Sequence, residues 1–209
     1  MSFDRLELTA EALSGARGGI TVFDGLSFEV RPRRPLIVRG PNGAGKSTLL
    51  RLLAGYLKPR AGRLEWRSPH GTRRRVEPEL VHYLGHLEGL KPALSVAANL
   101  RFWASYLAAS AAIEEGLRRF GLDTLADIPL ALLSAGQRKR ASLARLLVAG
   151  RPVWLLDEPL VALDAEGRAL LVTSLEEHLL RGGLAVVTTH EPLALADAGE
   201  LALPGRAAA

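Results

Sequence analysis

Gly40-Pro41-Asn42-Gly43-Ala44-Gly45-Lys46-Ser47-Thr48 constrains this chain more than any other stretch of it. Ahead of it, Pro35-Leu36-Ile37-Val38-Arg39 reads as a buried strand; behind it, residues 48–54 carry a helical apolar pattern. A Gly-x-x-x-x-Gly-Lys-Ser/Thr loop between a strand and a helix is a phosphate cradle. Its glycines let successive backbone N–H groups converge on phosphate oxygens, and the helix adds its positive end. Lys46 would reach the β- and γ-phosphates, and the Ser47 hydroxyl would ligate Mg²⁺. With only four lysines in the chain, chance would produce the pattern in roughly one such sequence in three hundred. The plain alternative is a Gly-rich turn before an ordinary helix, and the motifs further on weigh against it. A nucleoside triphosphate site is expected.

Periodicity sets that loop in an α/β chain. Residues 4–13 and 20–30 alternate as two strands, with Gly15, Gly18 and Gly19 marking the turn between them. Residues 62–67 and 81–85 read as further strands, and Ser95, a plausible N-cap, opens a region helical in pattern to about Ala149. Residues 153–157 and 184–189 are apolar strands on either side of a helix from about Ala165 to Arg181. Strands with little polarity, alternating with helices, imply a parallel sheet covered on both faces. The expected layout is one domain over residues 1–209, with no internal repeat. Residues 1–89 and 151–209 would make the core with its β-subdomain, and 90–150 an inserted helical subdomain.

Composition excludes more than it assigns. The formal net charge of +5 comes almost wholly from arginine and is scattered along the chain. The one run, Arg73-Arg74-Arg75, reads as a solvated loop, and the ending 206–209 as an unstructured tail. No apolar stretch approaches a membrane span, and the start lacks signal-peptide organisation. The absence of cysteine removes disulfides and thiolate metal sites.

Three further segments carry chemistry. Asp157 ends an apolar strand, where open α/β sheets place their ligands. Beside a phosphate loop it reads as the Mg²⁺-organising aspartate, with Glu158 as general base for the attacking water. Taken alone, an apolar strand ending in Asp-Glu is weak evidence, and the alternative is two solvated acids after a strand. Leu133-Ser134-Ala135-Gly136-Gln137 precedes a long helix pattern; Ser134 can cap it, and glycine amides at such an end make an anion site. That stretch by itself reads equally as a simple helix start. His190 ends a Val-Val-Thr-Thr strand, where a histidine is more often structural than catalytic.

Together these residues resemble the ATP-binding subunits of ABC transporters. Walker A at 40–48, the signature at 133–137, Walker B at 153–158, the D-loop Ala162-Leu163-Asp164 and the switch His190 follow in the family's order over essentially the whole chain. The resemblance implies an α/β, RecA-like P-loop core with an N-terminal antiparallel β-subdomain and an inserted helical subdomain. It implies that two copies sandwich two Mg²⁺-bound ATP molecules, each between Lys46 of one copy and Ser134 and Gly136 of the other. Ser47 and Asp157 would serve the metal, while His190 would contact the γ-phosphate and position the water with Glu158. Three positions depart from the family pattern. His86 stands where the Q-loop glutamine is usual, and imidazole is a poor Mg²⁺ ligand, so a coupling role is expected there. The adenine-stacking aromatic falls near Arg17, whose flat guanidinium can stack, with Phe23 as the alternative. Ala135 replaces the commoner signature glycine, a small change if its φ is negative.

Residues 83–91, the Leu-Ser-Ala-Gly-Gln signature and Thr188-Thr189-His190-Glu191-Pro192-Leu193 resemble a narrower group, the CcmA family of cytochrome c biogenesis haem exporters. That implies a peripheral protein on the cytoplasmic face of a bacterial inner membrane. Its partners would be the membrane subunits CcmB, CcmC and CcmD, and functionally the haem chaperone CcmE, with no nucleic acid. Another cargo, such as a lipoprotein or a drug, is the first alternative. A soluble ABC ATPase acting on nucleic acid or the ribosome is the second; such machines pair cassettes or carry long coiled-coil insertions, which this chain lacks. A haem site within the chain is not expected, since cysteine is absent, Met1 is the only methionine and the five histidines have other settings.

Overall fold

A computed structural model describes residues 3, 6–73, 77–86, 89–107 and 113–204. Two sheets and a set of helices form its layers. The first sheet is antiparallel, in the order β2 (Ile20–Val30), β1 (Glu7–Arg17), β4 (Ala61–Ser68), β5 (Gly71–Arg73). The second is parallel, in the order β6 (Val81–Leu84), β7 (Val153–Asp157), β8 (Leu184–Thr188), β3 (Leu36–Arg39), β9 (Gly199–Ala202). Helix α1 (Lys46–Leu53) follows β3, and α5 (Ala165–Leu180) joins β7 to β8. The crossover from β6 to β7 carries α2 (Val96–Tyr106), α3 (Ile113–Arg119) and α4 (Ala135–Ala149).

The parallel strands are apolar because both faces are covered, as side-chain alternation makes visible. Val38, Val153, Leu155, Leu184 and Val186 pack with α1 and the antiparallel sheet in one core. Their neighbours Ile37, Trp154, Leu156, Ala185 and Val187 pack with α2 to α5 in a second. Parallel pairing puts the carboxyl ends of β3, β7 and β8 on one edge. The phosphate loop, Asp157-Glu158 and Thr189-His190 all leave from that edge.

Local rules account for the helix starts. Ser95 caps α2 by accepting from the Ala98 N–H at 3.2 Å. Asn99, 1% exposed, accepts from the Lys91 N–H and donates to the carbonyls of Lys91, Leu94 and Ser95. A buried amide so fully used fastens the 91–95 turn to α2. The bidentate pair Arg119–Glu177, at 2.6 and 2.8 Å, ties α3 to α5.

Several expectations change. The first strand runs to Arg17, so Gly15 lies inside β1 and the turn is Gly18-Gly19. Gly15 is there for space, since a Cβ would stand 2.4 Å from Cζ of Phe23. Arg73 ends strand β5 rather than lying in a loop; Arg74, Arg75 and the tail 206–209 lie outside the described residues. The region 95–149 is three helices broken by short 3₁₀ turns at 123–125 and 130–132. Strand β9 was not foreseen, because its four residues alternate between exposed and half-buried and carry little apolar signal.

Two histidines are sealed in this core. Burial pushes His82 down to about 3, with Arg145 and Arg151 adding to it, and pushes His178 down to about 4. His178 lies flat against Trp154, 3.9 Å between centroids, and bonds the Leu184 carbonyl. A histidine in the unfolded chain titrates near 6.5, so below that pH the unfolded state binds more protons. Stability should be full above pH 6.5 and fall below it, through His178 down to about pH 4 and through His82 down to about pH 3. The slope should reach at most about 1.4 kcal/mol per pH unit for each histidine. Urea midpoints at pH 7 and pH 5 check this, and equal midpoints would refute it.

Candidate nucleotide site

Arg17, Val22, Pro41, Asn42, Gly43, Gly45, Lys46, Ser47, Thr48, Asp157 and Glu158 line a cavity of about 170 Å³ at the carboxyl edge of the parallel sheet. Gly40 and Ala44 belong to the same loop, with Ala44 buried beneath it. Gly45 caps α1 at φ 97°, and a Cβ there would meet Phe23 and Val22 at 2.9 Å. Only glycine serves at that position. Phe23 is 3% exposed and forms the floor under the loop, so its ring is not open to a base, whereas Arg17 is exposed at the rim. A wider groove of about 690 Å³ beside α1 and β4 holds none of these groups and is not the chemical site.

Lys46 is 7% exposed, and its ammonium donates to the Gly40 carbonyl at 2.7 Å and meets His190 Nε2 at 2.6 Å. An ammonium has only donors, so Nε2 accepts there. Glu158 Oε1 lies 3.6 Å from Lys46 Nζ and 3.3 Å from His190 Nε2, yet this buried oxygen accepts no hydrogen bond of good geometry. Asn42 Oδ1 is 3.1 Å from the same histidine nitrogen. Residues far apart in sequence thus converge at one mouth.

The backbone at Glu158 is strained, with φ 49°, in a region that costs about 1–3 kcal/mol for a residue other than glycine. Thr188 holds it: the Glu158 N–H donates to the Thr188 carbonyl at 3.0 Å and to Oγ1 at 3.1 Å. The Thr188 hydroxyl donates to Asp157 Oδ1 at 2.8 Å, and Lys139 of α4 reaches the Glu158 carbonyl at 3.4 Å. Thr188 and Lys139 have this positioning geometry without having been singled out from sequence. A hydroxyl at the end of an apolar strand was the available signal for Thr188.

The oxygen donors suit a small hard cation. Ser47 and the 3% exposed Asp157 line the cavity, and no group of three or more His, Cys, Asp or Glu that could hold a metal occurs among the described residues. Mg²⁺ sites in general use one or two protein oxygens together with substrate phosphates.

The signature segment does not join that cavity. Ser134 caps α4 in a reciprocal box: its Oγ accepts from the Gln137 N–H at 3.2 Å, and Gln137 Oε1 accepts from the Ser134 N–H at 2.9 Å. Leu133 is buried, and Ala135 opens α4 without a positive φ, so the alanine is unstrained. Gly136 backs onto the D-loop, where a Cβ would stand 3.1 Å from the Ala162 carbonyl. Within that loop Ala162 has φ 68°, Leu163 is buried and Asp164 caps α5. The Gly167 N–H, helped by Arg140, holds the Asp164 carboxyl below the usual carboxylate range. His86 is exposed just past β6 and does not line the cavity.

Known proteins resemble this chain over most of its length. The family model described as "ABC transporter" matches residues 23–161. The Cytochrome c biogenesis ATP-binding export protein CcmA of Chelativorans sp. is 47% identical over 197 residues, 94% of this chain and 97% of that protein. The protein of the same name from Rhodopseudomonas palustris is 46% identical over 191 residues, 91% of this chain and 94% of that one. Among solved structures, an ABC transporter ATP-binding protein from Pyrococcus furiosus has TM-score 0.79 at 24% identity, covering 94% of this chain and 97% of that one. A dimeric ATP-binding cassette in a post-hydrolysis state with ADP and Pi has TM-score 0.76 at 21% identity, covering 96% of this chain and 97% of that one. At those identities the structures speak for the fold alone. The chain therefore belongs to the ABC transporter family of ATP-binding proteins, among the cytochrome c biogenesis ATP-binding export proteins.

Proposed function

We propose that this chain is the ATP-hydrolysing subunit of an ABC exporter serving cytochrome c biogenesis. The observation that carries the chemistry is the placement of Glu158 Oε1 between Lys46 and His190 at the mouth of the phosphate loop. The loop amides and Lys46 bind the β- and γ-phosphates, which requires the ammonium to leave the Gly40 carbonyl. Glu158 takes a proton from the attacking water, and His190, bonded to Glu158 Oε2 through its N–H at 3.3 Å, contacts the γ-phosphate. Ser47 and Asp157 would hold Mg²⁺, which would supply neutralisation of the charge developing on the phosphates. Arg17 stacks on the adenine by its flat face.

A cavity of about 170 Å³ is too small to enclose such a ligand, since small-molecule sites run to about 300–1,000 Å³. The reading that follows is a shared site, in which Leu133, Ser134, Ala135, Gly136 and Gln137 of a second copy close over the nucleotide. The free, capped N-terminus of α4 is an anion-binding surface of the right kind. No helix among the described residues is long and apolar enough to cross a membrane. We place the chain peripherally on the cytoplasmic face of an inner membrane, bound to CcmB, CcmC and CcmD and powering release of haem-loaded CcmE. His86, between the core and the helical subdomain, couples nucleotide state to those subunits.

Complementation tests this. In a bacterium lacking its own CcmA, this chain together with its cognate membrane subunits should restore c-type cytochromes, and Lys46→Ala should not. Restoration of a different export pathway, with cytochromes still absent, would overturn the cargo assignment.

A further inference from the structure

Arg168 and Glu191 are ion-paired outside the nucleotide cavity, joining α5 to the segment after His190. Arg168 lies in the first turn of α5, and its Nε donates to the Leu163 carbonyl at 3.1 Å. That carbonyl precedes the N-cap, falls outside the helical ladder and needs a donor from elsewhere. Helical side chains lean towards the N-terminus, which lets Arg168 fold back onto the D-loop. The same guanidinium meets Oε2 of Glu191 through Nη1.

Glu191 is anchored by its backbone as well. Its N–H donates to Thr189 Oγ1 at 3.0 Å, and its carbonyl accepts from Arg39 Nη1 at 3.2 Å. His190 hangs between Thr189 and Glu191, with its N–H on Glu158. On the other side of the D-loop, Arg140 of α4 places Nη2 at 2.9 and 2.7 Å from the two Asp164 oxygens and 2.9 Å from Glu166. The signature helix, the D-loop and the His190 segment form one chain of polar contacts.

We propose that Arg168 and Glu191 are positioning residues that relay the state of the D-loop to His190 and Glu158 of the same chain. The relay rests on the shared-site reading: the signature and D-loop then face the partner's nucleotide, while His190 and Glu158 act on the chain's own. A shift of residues 162–164 draws the Leu163 carbonyl and with it the guanidinium, Glu191 and the His190 peptide. Occupancy of one site thereby sets hydrolysis geometry at the other. Arginine suits the role because its rigid fork holds two acceptors at once. Both side chains are more than a third exposed, so removing the pair does not threaten the fold.

The test uses Arg168→Met, Glu191→Gln and the double variant of the full chain. Hydrolysis is measured against ATP concentration, together with equilibrium binding of a fluorescent ATP analogue and thermal melting. Each single variant should lower kcat about fivefold or more and bring the Hill coefficient towards unity, with nucleotide Kd within about twofold. The double variant should be no worse than either single one, the signature of one shared interaction. Losses that multiply in the double variant would overturn the relay. So would a wild-type Hill coefficient of unity, or a change confined to melting temperature. If Glu158→Gln arrests hydrolysis while these variants behave as wild type, only the relay fails. If Glu158→Gln hydrolyses normally, the reading beneath it fails.

Discussion

Glu158→Gln should leave ATP binding intact and lower turnover by ~10²–10⁴-fold, the range expected on losing a general base. The amide keeps the shape of the side chain and its bond to the His190 N–H through the remaining oxygen, but it cannot take a proton from water. The strained backbone at φ 49° is held by Thr188 rather than by the carboxylate, so the variant should fold normally. With product formation blocked, nucleotide should persist in the closed site and a dimer should accumulate on size exclusion with ATP. Steady-state hydrolysis and nucleotide-binding titrations check both halves. Hydrolysis at the wild-type rate would remove Glu158 from the mechanism.

Ser134→Arg should abolish turnover while leaving the affinity of a single chain for ATP within about twofold, because Ser134 does not line the chain's own cavity. The substitution removes one half of the capping box, costing about 1 kcal/mol of helix stability, and it puts a bulky cation where a second copy's phosphate would dock. Mixing experiments separate a shared site from a self-sufficient one. Chains carrying Lys46→Ala should depress the activity of each intact chain added to them. Activity strictly proportional to intact chains would refute the composite site.

Much of the fold was legible because it depends on neighbours in sequence. The apolar strands 153–157 and 184–188 announce a doubly covered sheet, and Ser95 and Ser134 sit where helix starts need them. Strand β9 and the inclusion of Gly15 in β1 were hidden, since the first carries little apolar pattern and the second depends on the room taken by Phe23. At the site, the convergence of Lys46, Asp157, Glu158 and His190 on one edge follows from strand order, which no local pattern encodes. Residue spacing also left Arg17 and Phe23 both open as platforms for a base. Packing buries Phe23 under Gly45 and leaves Arg17 exposed at the rim.

The kind of chemistry is written locally in the chain, because a phosphate cradle is a local object: three glycines, a lysine and a hydroxyl between a strand and a helix. The sequence also sets the order of the motifs and hence the family they resemble. Tertiary structure alone decided which polar groups meet. The Glu158 backbone rests on Thr188, thirty residues on; Arg140 grips Asp164; Arg168 joins Leu163 to Glu191. Such pairs are fixed by how α4 and α5 pack beside the sheet, and an arginine on a helix has the same appearance in sequence whether it faces water or bridges two loops.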